Sequence, residues 1–122
     1  MATILNFFFA AFFIALIGQG YCHCSIANVT ISQAKTGKTV KSMPEWRVTI
    51  SNDCVCTQSD LKLSCDGFQT TEAIDSLVMS KWGEECLIND AQPIVSFSNV
   101  SFNYAWITSF PFNTLSSQTN CS

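Results

Sequence analysis

Residues 46–51 read WRVTIS, and this alternation of apolar and polar side chains decides the fold. Successive side chains of a β-strand point to opposite faces, so the alternation predicts a strand with one buried and one solvated face. Residues 27–32, ANVTIS, show the same period. Both segments are therefore predicted to be half-buried strands.

Three further strands are predicted outward from this pair, at residues 61–65, 94–97 and 100–106. Turn signals separate the strands: Thr36-Gly37-Lys38, Met43-Pro44, Ser51-Asn52-Asp53, Asp66-Gly67 and Asn89-Asp90. Short strands with frequent turns predict an all-β fold, a small antiparallel β-sandwich, although a barrel would carry the same strand signals. Residues 72–82 have apolar side chains at helical spacing and predict one short helix.

The first twenty residues have the pattern of a secretory signal peptide. Residues 4–17 are almost wholly apolar and carry no acid or base, and Gly18 and Gly20 follow them. The stretch is shorter than the roughly 18 to 20 apolar residues that span a bilayer, which disfavours the alternative of a membrane anchor. We expect residues 1–20 to be removed, leaving one extracellular domain, residues 21–122, without an anchor.

Seven cysteines lie beyond the predicted cleavage point. In a short exported chain they predict a disulfide framework, because each bridge stabilises a small domain by about 2 to 4 kcal/mol. Three bridges, with Cys22 beside the cleavage site as the odd residue, predict a monomer, whereas Cys22 paired between chains would give a dimer. Sequence alone leaves the connectivity open. The six remaining cysteines are Cys24, Cys54, Cys56, Cys65, Cys86 and Cys121.

Metal binding and catalysis find little support in the sequence. Cys22-His23-Cys24 and Cys54-Val55-Cys56 are C-x-C pairs, tighter than the usual C-x2-4-C spacing of zinc sites, so we expect no metal. The only histidine, His23, would lie at the new N-terminus, where a catalytic triad has no firm support. No nucleotide-binding or metalloprotease motif occurs. We expect neither an enzyme nor a cofactor.

Charge and glycosylation signals fit an exported protein. The formal net charge of −3 argues against a nucleic-acid partner. The N-x-S/T patterns at Asn28 and Asn99 are candidate glycosylation sites. A third pattern, at Asn120, includes Cys121, which is expected to be in a bridge.

Aromatic side chains are concentrated in residues 102–112, FNYAWITSFPF. The alternation from Phe102 to Trp106 favours a core-facing strand face. Proline at position 111 interrupts strand pairing, so we expect Phe110 and Phe112 to be partly exposed. The candidate partner-binding residues are therefore Phe110 and Phe112, and Trp106 is added as the aromatic residue at the end of the alternating segment.

An ordered set of landmarks runs along residues 24–121: Cys24, PEWRVTISN at 44–52, Cys54, Cys65, CLIND at 86–90, FNYA at 102–105, Pro111 and Cys121. This ordered set resembles the Tapetum Determinant family of small, secreted (apoplastic), cysteine-rich plant proteins. The resemblance implies an extracellular ligand perceived by a leucine-rich-repeat receptor kinase during anther cell differentiation, and a structural role for the six cysteines. Cys22 is additional to the family pattern.

Two hypotheses for function follow from these features of the sequence. The first is a ligand that binds a receptor kinase ectodomain. The alternative is an apoplastic carbohydrate-binding or carbohydrate-modifying protein, and it rests on the late aromatic residues.

Overall fold

The computed structural model describes residues 24–121. The predicted signal peptide and Cys22 lie outside the described residues. Two 3-10 turns, Ile26–Asn28 and Asn89–Ala91, accompany the strands. The strands are β1 (Val29–Val40), β2 (Met43–Asn52), β3 (Thr57–Ser64), β4 (Met79–Trp82), β5 (Glu85–Ile88), β6 (Asn99–Ala105) and β7 (Asn113–Asn120).

The strands form two antiparallel sheets. The first sheet has the order β1-β2-β6, and the second has the order β4-β5-β3-β7. In β2 the alternation has the predicted result, because Val48 and Ile50 are buried while Arg47 is exposed. The predicted disulfide-stapled antiparallel β fold is therefore confirmed.

One apolar core lies between the two sheets. Side chains from both sheets contribute to it, which is the arrangement of a β-sandwich. Inside this core a disulfide links Cys65, the residue after β3, to Cys86 in β5. The first sheet supplies Val29, Val48, Ile50, Phe102 and Tyr104, and the second supplies Leu61, Leu63, Met79, Cys86 and Ile88.

The predicted helix at residues 72–82 is wrong. Asp75 closes a single turn, in which its carbonyl accepts from the amides of Val78 and Met79. The chain then enters β4 and returns as β5 after Gly83, whose φ of +66° is a conformation that glycine adopts at no steric cost. Ile74 and Val78 pack against the core while Leu77 is 62% exposed, so the three apolar residues do not share one buried helical face.

The strand predicted at residues 94–97 is also wrong. Ile94 makes one isolated bridge with Gln58, through two backbone hydrogen bonds of 2.7 and 3.1 Å. The amide of Ser98 then donates to the carbonyl of Val95, and Phe97 has a φ of +58°. This turn directs the chain away from strand geometry before β6 begins.

No helix within residues 24–121 is long and apolar enough to cross a membrane.

Candidate functional site

The candidate site is an open end of the sandwich where the inner face of the first sheet reaches solvent. Trp46 in β2 pairs across the sheet with Lys35 in β1 and Tyr104 in β6. The Trp46 indole donates from Nε1 to the carbonyl of Trp106 at 3.4 Å. The rings of Trp106 and Phe110 have centroids 6.5 Å apart. We call Trp46, Trp106, Ile107 and Phe110 the tryptophan end.

The tryptophan end combines apolar surface with one cation. Trp46, Trp106 and Phe110 are half-buried against the core, and Ile107 is 68% exposed. The ammonium of Lys35 lies 5.4 Å from the centroid of the Trp46 ring, within the range of a cation–π contact. Large aromatic residues that pack against their surroundings, tryptophan above all, are enriched in protein-binding hot spots.

The structure separates the three aromatic residues that the sequence predicted as a binding site. Trp106 and Phe110 are partly exposed, but Phe112 is only 7% exposed and packs against Phe68 and Phe102. The expected exposure of Phe112 is therefore wrong. Phe112 leads directly into β7, so its side chain enters the core from the strand edge despite the neighbouring proline.

A closed set of hydrogen bonds holds Phe110 in place. The Tyr104 hydroxyl donates to Oε1 of Gln33 at 2.6 Å and accepts from the amide of Phe110 at 3.0 Å. The Gln33 side-chain amide donates to the Phe110 carbonyl at 2.6 Å. Burial raises the pKa of Tyr104, against the opposing effect of the Phe110 amide. The backbone of Phe110 is thus held by side chains of β1 and β6.

Two carboxyl groups meet on the opposite face of β2, beside the tryptophan end. Glu45 accepts a hydrogen bond from the Thr36 hydroxyl at 2.6 Å. This bond is the main cause of a lowered pKa of Glu45, and the contact with the Glu72 carboxyl group is the second cause. The pKa of Glu72 is raised mainly by burial and secondly by the neighbouring Glu45. Lys38 is the nearby cation that acts on both groups. As the pH falls, the pair therefore takes up its first proton at Glu72 and shares it with Glu45.

Replacing Glu72 by glutamine is expected to raise the melting temperature at pH 7 by a few degrees. A raised folded-state pKa means that the contribution of Glu72 to stability is lost as the pH rises above 4.5 through that pKa. Glutamine stays neutral and still donates to Glu45, so the variant avoids this loss and matches the wild type near pH 4.

Thermal unfolding between pH 3 and pH 8 checks this prediction. The exposed Glu84→Gln serves as the matched control, because it removes the same charge outside the pair. A Glu72→Gln variant less stable than the wild type at pH 7 would contradict the shared-proton interpretation.

The six predicted cysteines form three disulfides, Cys24–Cys54, Cys56–Cys121 and Cys65–Cys86. The sulfur atoms of Cys24, Cys54 and Cys56 lie within 4.8 Å of one another, a cluster that would suit a metal if the thiols were reduced. In this structure all three are engaged in bridges. The Cys24–Cys54 bridge therefore links the N-terminal segment to the β2–β3 connection, and the Cys56–Cys121 bridge links the end of β7 to it.

The two predicted glycosylation sites lie in different surroundings. Asn28 is half-buried, and its Oδ1 accepts from the amide of Ser25 at 3.0 Å in the first 3-10 turn. Asn99 is exposed at the first position of β6. Glycosylation at both residues stays a prediction.

Comparison with known proteins identifies the family. Residues 25–122 match the family described as Tapetum determinant 1, C-terminal. The chain belongs to the Tapetum determinant 1 family. It is 30% identical over 103 residues to TPD1 protein homolog 1 of Arabidopsis thaliana, a match that covers 82% of this chain and 56% of the relative.

Two further relatives agree with membership of the Tapetum determinant 1 family. TPD1 protein homolog 1A of Oryza sativa subsp. japonica is 25% identical, over 77% of this chain and 45% of the relative. TPD1 protein homolog 1B of the same species is 29% identical, over 72% of this chain and 53% of the relative. The chain thus spans about half the length of these curated relatives. No solved structure matches it significantly.

Sequence reasoning misses part of the candidate site in this family member. The alternation identifies Trp46 only as a strand residue, although its place at the start of β2, after Pro44, is a signal that it lies near the end of the sandwich. The Glu45–Glu72 pair has no such signal, because 26 intervening residues separate the two carboxyl groups and only the fold brings them together.

Proposed function

We propose that this protein is a secreted signalling ligand that binds the ectodomain of a leucine-rich-repeat receptor kinase, in reproductive, anther-type cell differentiation. Membership of the Tapetum determinant 1 family supports this role. The disulfide framework also supports it, because such bridges persist in oxidising extracellular compartments. The role is one of binding, and no catalytic step is proposed.

The observation that carries the proposal is the tryptophan end. Its exposed Ile107 and half-buried indoles form an apolar surface on a rigid frame. Such a surface gains affinity by burial and loses little conformational freedom on binding. Leucine-rich-repeat solenoids present extended concave surfaces, onto which a compact convex end of this kind can dock.

Replacing Ile107 by aspartate is expected to weaken receptor binding at least about tenfold, because a charge would be desolvated in the apolar contact. The side chain is 68% exposed, so the fold should be unaffected. The measurement is the dissociation constant for purified plant leucine-rich-repeat receptor ectodomains, with oxidised ligand at concentrations up to micromolar.

Leu77→Asp is the matched control for the binding experiment, since Leu77 is an aliphatic residue that is 62% exposed outside the tryptophan end. Its affinity should equal that of the wild type. Failure of every ectodomain to bind at micromolar concentration would refute the receptor role. Equal affinity of Ile107→Asp and wild type would instead refute the assignment to the tryptophan end.

A further inference from the structure

A second exposed surface lies on the outer face of the second sheet, which has the order β4-β5-β3-β7, at the β4–β5 hairpin. Trp82 ends β4 and is 70% exposed. Its indole Nε1 donates to the Ser80 hydroxyl at 3.0 Å, which holds the ring back along the strand. Ser80 pairs with Leu87 of β5, and Leu87 pairs with Lys62 of β3, so these side chains share one face. The ring is therefore directed back along β4 on this face, with most of its surface exposed.

A shallow cleft of about 240 Å³ lies at this surface. It is lined by four residues, Lys62, Trp82, Glu85 and Leu87, which we call the Trp82 platform. The platform has an aromatic ring, an aliphatic side chain, one cationic donor and one anionic acceptor. Throughout residues 24–121 no hydrogen bond or ion pair engages the side chains of Lys62 and Glu85. Both charged groups are therefore available to a ligand.

We propose that the Trp82 platform binds one neutral pyranose unit of an extracellular glycan. The apolar face of a sugar ring stacks on an exposed indole, while its hydroxyls need both donors and acceptors around the edge of that ring. The ammonium of Lys62 supplies donors, and the carboxylate of Glu85 supplies acceptors. Because these two charges cancel, the platform favours neither an acidic nor a basic sugar.

The size and surroundings of the cleft support a single sugar as the occupant. Its volume is below the roughly 300 to 1,000 Å³ of sites for larger small molecules. Neighbouring positions on the same sheet are polar: Ser64 pairs with Glu85 and Asn113, and Ser116 pairs with Lys62. The core of a protein–protein interface is usually depleted of such groups, so the surroundings favour a hydroxylated ligand over a protein partner.

Isothermal titration of the oxidised protein with neutral hexasaccharides tests the proposal. The probes are cellohexaose, mannohexaose and xylohexaose, each at up to about 5 mM, since a single stacked ring gives weak affinity. At least one of the three should bind. Trp82→Ala should weaken that binding at least about tenfold. Phe97→Ala, which removes an aromatic ring that is 68% exposed elsewhere, should leave it unchanged.

Charge variants test the role of the two flanking groups. Glu85→Gln leaves the platform cationic, so it should gain affinity for an acidic oligogalacturonate that the wild type does not bind. Lys62→Gln should not gain this affinity. Ile107→Asp should retain sugar binding, which separates this proposal from the receptor-binding surface.

Several results would overturn the assignment. These are a wild-type protein that binds none of the neutral probes, a Trp82→Ala variant that binds them with unchanged affinity, and a wild-type protein that prefers the acidic oligosaccharide. A purified receptor ectodomain whose binding depends on Trp82 while no sugar binds would assign the platform to a protein partner, and would also refute the proposal.

Discussion

Replacing Cys65 and Cys86 together by alanine is expected to lower the free energy of unfolding by about 4 to 5 kcal/mol. The bridge closes a loop with a sequence separation of 21, for which loop-closure entropy accounts for about 3 kcal/mol. Both cysteines are fully buried in the core, so the substitutions also leave a small cavity that adds about 1 to 2 kcal/mol. Domains of this size are commonly stable by only about 5 to 15 kcal/mol.

Replacing Cys24 and Cys54 by alanine provides the comparison. Relative to the Cys65–Cys86 bridge, the Cys24–Cys54 bridge has a larger loop-entropy contribution and a smaller cavity contribution. That bridge spans 30 positions, so loop entropy alone makes its loss worse by about 0.3 kcal/mol. Cys24 is only half-buried, however, and leaves less of a cavity. Urea unfolding of both double variants should show the larger loss for Cys65 and Cys86. The reverse order would mean that core packing around this bridge contributes little.

The strands that the sequence predicts well are those whose two faces differ in polarity. In β2 and β6 every second side chain enters the core, so alternation alone identifies them. β7 escapes prediction because its inward residues include Ser117 and Thr119, which are polar. A pattern of apolar residues cannot reveal a strand whose buried side is held by hydrogen bonds to another part of the chain.

The candidate site is predicted in part for similar reasons. The high local density of aromatic residues points to Trp106 and Phe110, which do lie at the open end of the sandwich. The same density misplaces Phe112, because exposure depends on which sheet edge covers a ring. The helical spacing of residues 72–82 includes Trp82, so its position on a sheet face is not foreseen. The disulfide partners likewise depend on the tertiary fold.

Replacing Gln58 by alanine is expected to lower the free energy of unfolding by about 3 kcal/mol. The side chain is fully buried, and its amide nitrogen donates to the Ser25 carbonyl at 2.9 Å. Its Oε1 accepts from the hydroxyls of Ser117 at 2.7 Å and Thr119 at 3.0 Å. Truncation removes these three part-buried hydrogen bonds, each of which contributes about 0.5 to 1.5 kcal/mol net.

Gln58→Leu separates the hydrogen bonds from the packing, since leucine fills similar space without a polar group. We expect it to lose nearly as much stability as alanine, because the loss of three hydrogen bonds outweighs the volume regained. Gln118→Ala, an exposed change in β7, should cost less than about 0.5 kcal/mol. Urea unfolding checks all three variants. If Gln58→Leu were as stable as the wild type, the hydrogen bonds of Gln58 would contribute little to holding β7. The Cys56–Cys121 bridge and the backbone pairing with β3 would then be sufficient to hold it.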